Sequence, residues 1–256
     1  MSDFDVAEKL LAIEVSDAEI KLAVIEKETG RIFQAYKYKP QVKSLTRLLI
    51  ALDKHPAKRL AYCSVVPTVD SWLMLALFDR YKIWRPIQQR IFTYNLKSSA
   101  KISEDLIALT LGAINWQTKN KQPMSTTIVV RMDMATTISV IDQKQVYQGT
   151  VIFPGSEFSL STLNKEVELL KVPVLSKFNN ENDLLLGKDM AQAVSIGINV
   201  GQINTIRAIV DNLQNKFKTD QVLLTGLSAA AFKNEFSEYD YAPDLIFRGL
   251  WYGSSF

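Results

Sequence analysis

The chain has 256 residues, 47% hydrophobic and 22% charged, which suits one large domain or two small ones with real cores. Its 30 basic and 27 acidic residues leave a net charge of +3, too small and too scattered an excess to point to nucleic acid. No run of about 18 apolar residues is present to span a membrane, and a lone cysteine, Cys63, excludes an intrachain disulfide framework. The opening MSDFDVAEKLL is acidic and lacks the apolar core of a secretory signal, so a cytoplasmic protein is expected.

Residues 10–37 read as three strands joined by two turns. Residues 10–15 are apolar except for Glu14, and Ile20, Leu22 and Val24 alternate with polar or small residues, the period of a half-buried strand. A turn at 28–31, holding Gly30, leads into a strand over 32–36. A helix is expected over 44–53, capped by Ser44, with Leu45, Leu48, Leu49 and Leu52 on one face. His55, the one histidine, sits in a polar turn and is read as solvated; with one His and one Cys, no His/Cys metal cluster can form. A strand over 59–66 buries Cys63. Asp70 is expected to cap the next helix, which turns Leu73, Leu75, Ala76 and Phe78 inward. A short strand over 90–94 and a helix over 104–116, with Ile107, Leu111 and Ile114 inward, complete the first half.

Residues 119–123 are polar and helix-breaking, which places a boundary between lobes 1–120 and 121–256. The opening pattern then recurs about 117 residues on, counting from Glu14 to Arg131: strands over 127–132, 137–141 and 146–153, with a turn at 142–144. Helices follow over 159–170 and 189–217. The second carries Ala193, Gly197 and Gly201 at a spacing of four, read as close helix packing. A strand over 221–224 ends in a turn at Thr225 and Gly226.

Eight stretches, in chain order, carry a resemblance. They are Glu14-Val15-Ser16-Asp17-Ala18; Ser64-Val65-Val66-Pro67; Ser103-Glu104-Asp105-Leu106; and Arg131-Met132-Asp133-Met134-Ala135-Thr136-Thr137 after Val130. The others are Tyr147 to Gly155 (YQGTVIFPG), Gly187-Lys188-Asp189-Met190, Thr225-Gly226-Leu227-Ser228, and Pro243 to Leu250 (PDLIFRGL). Together they resemble the type III pantothenate kinases from about residue 11 to 250. That resemblance implies a duplicated ribonuclease-H-like, actin-like ATPase fold, α/β, in two lobes with a nucleotide in the cleft between them.

It also implies roles and exposes departures. The degenerate nucleotide site comprises Glu14, Ser16, Asp17, Arg131, Asp133, Thr136, Thr225 and Gly226, with Glu14 as the metal position. The first loop resembles D-x-G-N-T, so Ser16 replaces a glycine that lets backbone N–H groups reach phosphate. The second resembles V-D-x-G-T-A-T-T, so Arg131 replaces an aspartate, Asp133 a glycine and Met134 a threonine. Asp105 matches the catalytic base, but Leu106 replaces the arginine that grips the substrate. Read without the family, Glu14 and Asp17 are ordinary strand-end and turn acids and Asp105 a first-turn helix acid. Gly149, Pro154, Gly155 and Met190 line the substrate side, where Met190 replaces a threonine.

The expectation is a non-catalytic relative, a pseudokinase with a binding or regulatory role and no cofactor, forming a homodimer with a protein or small metabolite as a further partner. The alternatives are an active pantothenate kinase of coenzyme A biosynthesis, using ATP, Mg and a monovalent cation, and another actin-like ATPase. Glu14 and Arg131 hold equivalent places in the two meanders and are expected to pair, unless Arg131 faces solvent or pairs with Asp133.

Overall fold

The structure, a computed structural model, describes residues 9–96, 101–119, 125–168, 171–172 and 186–255. The chain gathers into two compact units. One comprises Met1–Ser125, Gln143–Gln148 and Asp244–Phe256, the other Thr126–Asp142 and Gly149–Pro243. The proposed lobe boundary at 120/121 falls at 120–124, outside the described residues.

In the first unit, β1 (Lys9–Val15), β2 (Ile20–Glu26) and β3 (Ile32–Tyr38) form the antiparallel meander. Then β4 (Arg59–Ser64) pairs with β1 and β5 (Lys82–Trp84) with β4, both in parallel, giving the order β3-β2-β1-β4-β5. The period of two puts Leu11, Ile13, Val15, Ile20, Leu22 and Val24 on one face, where α1 (Leu45–Asp53) and α2 (Pro67–Leu77) cover them. Six such buried side chains contribute on the order of 10 kcal/mol, comparable with the whole net stability of a domain. The opposite face, with Leu10, Ala12 and Ile25 buried, carries α6 (Leu245–Ser254), which also packs along α3 (Glu104–Lys119). That helix pair is very close. A Cβ on Gly249 would lie 1.8 Å from the Ala108 carbonyl oxygen, and one on Gly112 2.2 Å from that of Leu245. Within this unit β6 (Thr93–Tyr94) pairs in parallel with Val146 and Tyr147.

The second unit repeats the plan. Strands β7 (Thr127–Met132), β8 (Ala135–Ile141) and β9 (Val146–Pro154) form the meander; β10 (Val222–Thr225) lies parallel to β7, and β11 (Asp240–Tyr241) to β10. The order β11-β10-β7-β8-β9 reproduces the first sheet strand for strand. Ile128, Val130, Met132, Ile138 and Val140 pack against Ile203, Ile206 and Val210 of the helix α5 (Met190–Phe217). α4 (Ser156–Glu166) lies against α5. Among the described residues no helix is long and apolar enough to cross a membrane.

Several local expectations are corrected. Ser44 stands before α1 after a 3-10 turn and makes no side-chain cap. Asp70 lies inside α2, because that helix begins at Pro67, whose fixed φ suits a first helical position. With that start, the positions four apart that face the sheet are Val69, Leu73 and Leu77. Leu75 and Phe78, expected inward, are 74% and 57% exposed. The strand over 90–94 shrinks to β6, and β5 and α6 were not foreseen. The helix expected over 159–170 begins three residues earlier. Among the described residues nothing packs on Gly197 and Gly201: a Cβ at either would meet nothing within 4 Å.

His55 is not merely solvated. It is half-buried, and its Nε2 is 2.8 Å from the Tyr36 hydroxyl. Burial, with Lys9 and Lys54 adding, holds its pKa below the ordinary value. A depressed imidazole pKa means that the unfolded chain takes up the proton first, so this stabilisation is full above about pH 6.5 and is lost as pH falls through and below it. Denaturant midpoints measured between pH 7.5 and 5, with those bounds set about one unit either side of the imidazole range, should fall in the native chain. His55→Gln should flatten that segment of the curve; an identical slope in the variant would refute the assignment.

Candidate functional site

On the first unit, the loop after β1 closes on itself. Ser16 N donates to the Glu19 carbonyl (3.0 Å), Ser16 Oγ donates to the same oxygen (3.1 Å), and Glu19 N donates to Ser16 Oγ (3.2 Å). The serine thus ties up backbone N–H groups of the kind that a glycine loop would turn toward phosphate. Asp17 is exposed at the tip. Glu14 is 2% exposed, and its carboxylate accepts from Lys21 Nζ at 3.3 Å. Sequence reasoning missed Lys21. The hairpin register, which sets Glu14 opposite Lys21, could have revealed it.

Asp105 stands half-buried in the first turn of α3, and its Oδ1 accepts from the Leu106 N–H at 2.9 Å. Leu106 is buried in the core, 7% exposed. Beside them lies a network that the sequence did not reveal. Arg85 donates Nε (2.8 Å) and Nη2 (2.7 Å) to the Glu104 carboxylate and Nη2 to Asp70 Oδ2 (3.3 Å). The Tyr62 hydroxyl donates to Asp70, and the guanidinium lies 5.3 Å over the Tyr62 ring. Hydrogen bonding to Glu104 holds the Arg85 pKa above its ordinary value despite burial, and burial followed by the Asp70 bond pushes Tyr62 up. Two carboxylates therefore engage Arg85 beside Asp105. The Ser64-Val65-Val66-Pro67 turn is closed by Ser64 Oγ, which accepts from Val66 N at 3.2 Å.

On the second unit, Arg131, Asp133, Thr136, Thr225, Gly226 and Gly155 converge on one junction. Arg131, 7% exposed near the end of β7, donates Nε to the Asp133 carboxylate. The other oxygen of Asp133 accepts from Leu227 N at 2.5 Å, in the turn after β10. Ser228 N donates to the Met132 carbonyl at 2.9 Å and Gly155 N to that of Met134, also at 2.9 Å. Two glycines allow this approach. Gly226, at φ +106°, would place a Cβ 2.5 Å from the Met132 carbonyl oxygen; one on Gly155 would lie 2.0 Å from that of Asp133. Thr225 is the register partner of Arg131.

Thr136, fully buried, accepts from Gln202 Nε2 on α5, and Gln202 Oε1 accepts from Ser156 Oγ at 2.8 Å. Gln202 and Ser156 were also missed. Of the substrate-side residues, Pro154 ends β9, and Gly149 takes φ +132° with open space around its Cβ position. Met190 opens α5, 53% exposed, behind the Asp189 cap, whose carboxylate accepts from Gln192 N at 2.8 Å.

The comparisons agree with this geometry. Among curated proteins, the type III pantothenate kinase of Legionella pneumophila (strain Paris) is 26% identical over 201 residues, 75% of each chain. Among solved structures, a candidate Baf family transcriptional activator from Campylobacter jejuni superposes with a TM-score of 0.55 at 15% identity, covering 93% of this chain and 94% of that one. The ethanolamine utilization protein EutJ from Carboxydothermus hydrogenoformans gives a TM-score of 0.51 at 14% identity, covering 95% and 89%. With the repeated strand order, these likenesses establish a duplicated ribonuclease-H-like, actin-like fold. The type III pantothenate kinase model matches residues 10–212, well over half of the sequence, and the chain belongs to that family.

Proposed function

We propose that this chain is a non-catalytic member of the family, a pseudokinase that keeps the scaffold for a binding or regulatory role. The carrying observation is Asp133. Its carboxylate takes hydrogen bonds from Arg131 and from the Leu227 N–H, where the family pattern has a glycine that leaves phosphate room. Arg131 neutralises most of its charge, so the obstacle is occupancy: the carboxylate fills the space and takes the backbone N–H that a phosphate oxygen would use.

Other residues support the reading. Leu106 offers nothing to a substrate carboxylate, and Arg85 is engaged by Glu104 and Asp70. The residues also do not fit the family's divalent cation. Lys21 holds the Glu14 carboxylate, Arg131 replaces the second aspartate, and among the described residues no group of three or more His, Cys, Asp or Glu converges. No step is therefore routed through a metal. Asp105 remains where a base is needed, but without an anion grip it lacks a positioned substrate proton. The role left to the scaffold is to bind a protein or a small metabolite.

A homodimer completes the reading. Its support is the face of α5 that carries Gly197 and Gly201, open at both Cβ positions, and Phe158, 44% exposed on α4. Light scattering at micromolar concentration should report twice the 28.9 kDa monomer mass; the monomer mass itself would remove the dimer from the account. In a coupled assay with ATP, magnesium, a monovalent cation and pantothenate, the purified chain should show no turnover above background. Turnover that vanishes in Asp105→Asn would instead establish an active kinase.

A further inference from the structure

A second concavity lies wholly within the first unit, at the opposite end of β1 from Ser16. Leu10, on its wall, and Ser16 are six residues apart (16 − 10), about 20 Å at the rise of an extended chain. The cavity has a volume of about 760 Å³, within the range of small-molecule sites. It opens at the amino-terminal ends of β1, β4 and β5, against the last turn of α6. Among the described residues, three cations line it, Arg59, Lys82 and Arg90, and no carboxylate side chain does.

Two like charges meet at this sheet edge. Arg59 and Lys82 are register partners on the parallel strands β4 and β5, so two like charges stand side by side. Such a pairing destabilises a sheet unless something neutralises it. Among the described residues, none of the three cations is in an ion pair. The carboxyl end of α6 contributes about half a negative charge, which three full positive charges outweigh.

The floor is apolar and fixed. Ile83, Trp84 and Ile91 supply it, and the indole of Trp84 is wedged over Gly253, where a Cβ would come within 2.4 Å of the ring. Two guanidinium forks and an ammonium beside an immobilised indole suit a compact dianion attached to a flat apolar body. We propose that this cavity binds a small organic phosphate, with the phosphate held by Arg59, Lys82 and Arg90 and its flat group against Trp84. The site is independent of the loops around Asp133, and it holds whether or not the chain is a kinase.

The test is a calorimetric titration of the full chain with 1-naphthyl phosphate and, separately, with inorganic phosphate. The aryl phosphate should bind saturably and at least about tenfold tighter than inorganic phosphate, the signature of two-part recognition. Arg59→Gln and Arg90→Gln should each weaken it about tenfold or more. Arg59 and Arg90 are exposed, so the fold should survive, and removing Arg59 should raise the thermal midpoint by relieving the repulsion with Lys82. Arg90 lies outside the strands and serves as the second, sheet-independent variant. Absence of saturable binding, equal affinity for the two anions, or affinity indifferent to both arginine variants would overturn the proposal.

Discussion

The Asp133 carboxylate is the interaction on which the second unit's site depends. It stands in the tight β7–β8 connection and reaches two partners, Arg131 behind it and the Leu227 N–H across from it. Backbone bonds from Ser228 and Gly155 hold the same hairpin from either side. A loop built to receive a phosphate presents free N–H groups and no side chain. Here one such group is satisfied by the chain's own anion, and a buried arginine supplies the counter-charge that a cation or substrate would otherwise bring. The unit is thus self-neutralising at the point where its relatives are expected to meet nucleotide.

The first unit follows the same logic with other residues. Ser16 closes its own turn, Lys21 neutralises Glu14, and Glu104 with Asp70 engages Arg85. At several of the altered positions the charged groups meet internal partners. Buried charges demand this, because removing one partner of a buried pair costs about 3–5 kcal/mol by leaving the other uncompensated. The scaffold stands on other contacts: two repeated sheets and the glycine-mediated approach of α6 to α3.

Much of the fold was legible because it rests on periodicity and repetition. Alternating Ile20, Leu22 and Val24 identified a half-buried strand, and the recurrence at 127–153 identified the duplication. Helix faces were less legible: Leu75 and Phe78 were misplaced because the inward stripe depends on where a helix starts, and Pro67 moved that start. The motifs located Asp133 and Arg131 as altered positions. The Arg131–Asp133 pair was the alternative to Glu14–Arg131 in the sequence reading, but the motifs could not show that Asp133 also caps a distant turn, since Leu227 lies 94 residues away in sequence. Lys21, Arg85 and Gln202 were hidden for the same reason. Their importance comes from strand register and tertiary packing, which one sequence does not display.

The account turns on whether the loops around Asp133 exclude nucleotide. Calorimetric titration of MgATP into the native chain and into the double variant Arg131→Asp/Asp133→Gly, which restores the family's residue types at both positions, tests this most directly. The account predicts no saturable heat for the native chain at millimolar nucleotide and measurable binding in the double variant. Saturable micromolar binding of MgATP by the native chain would contradict it.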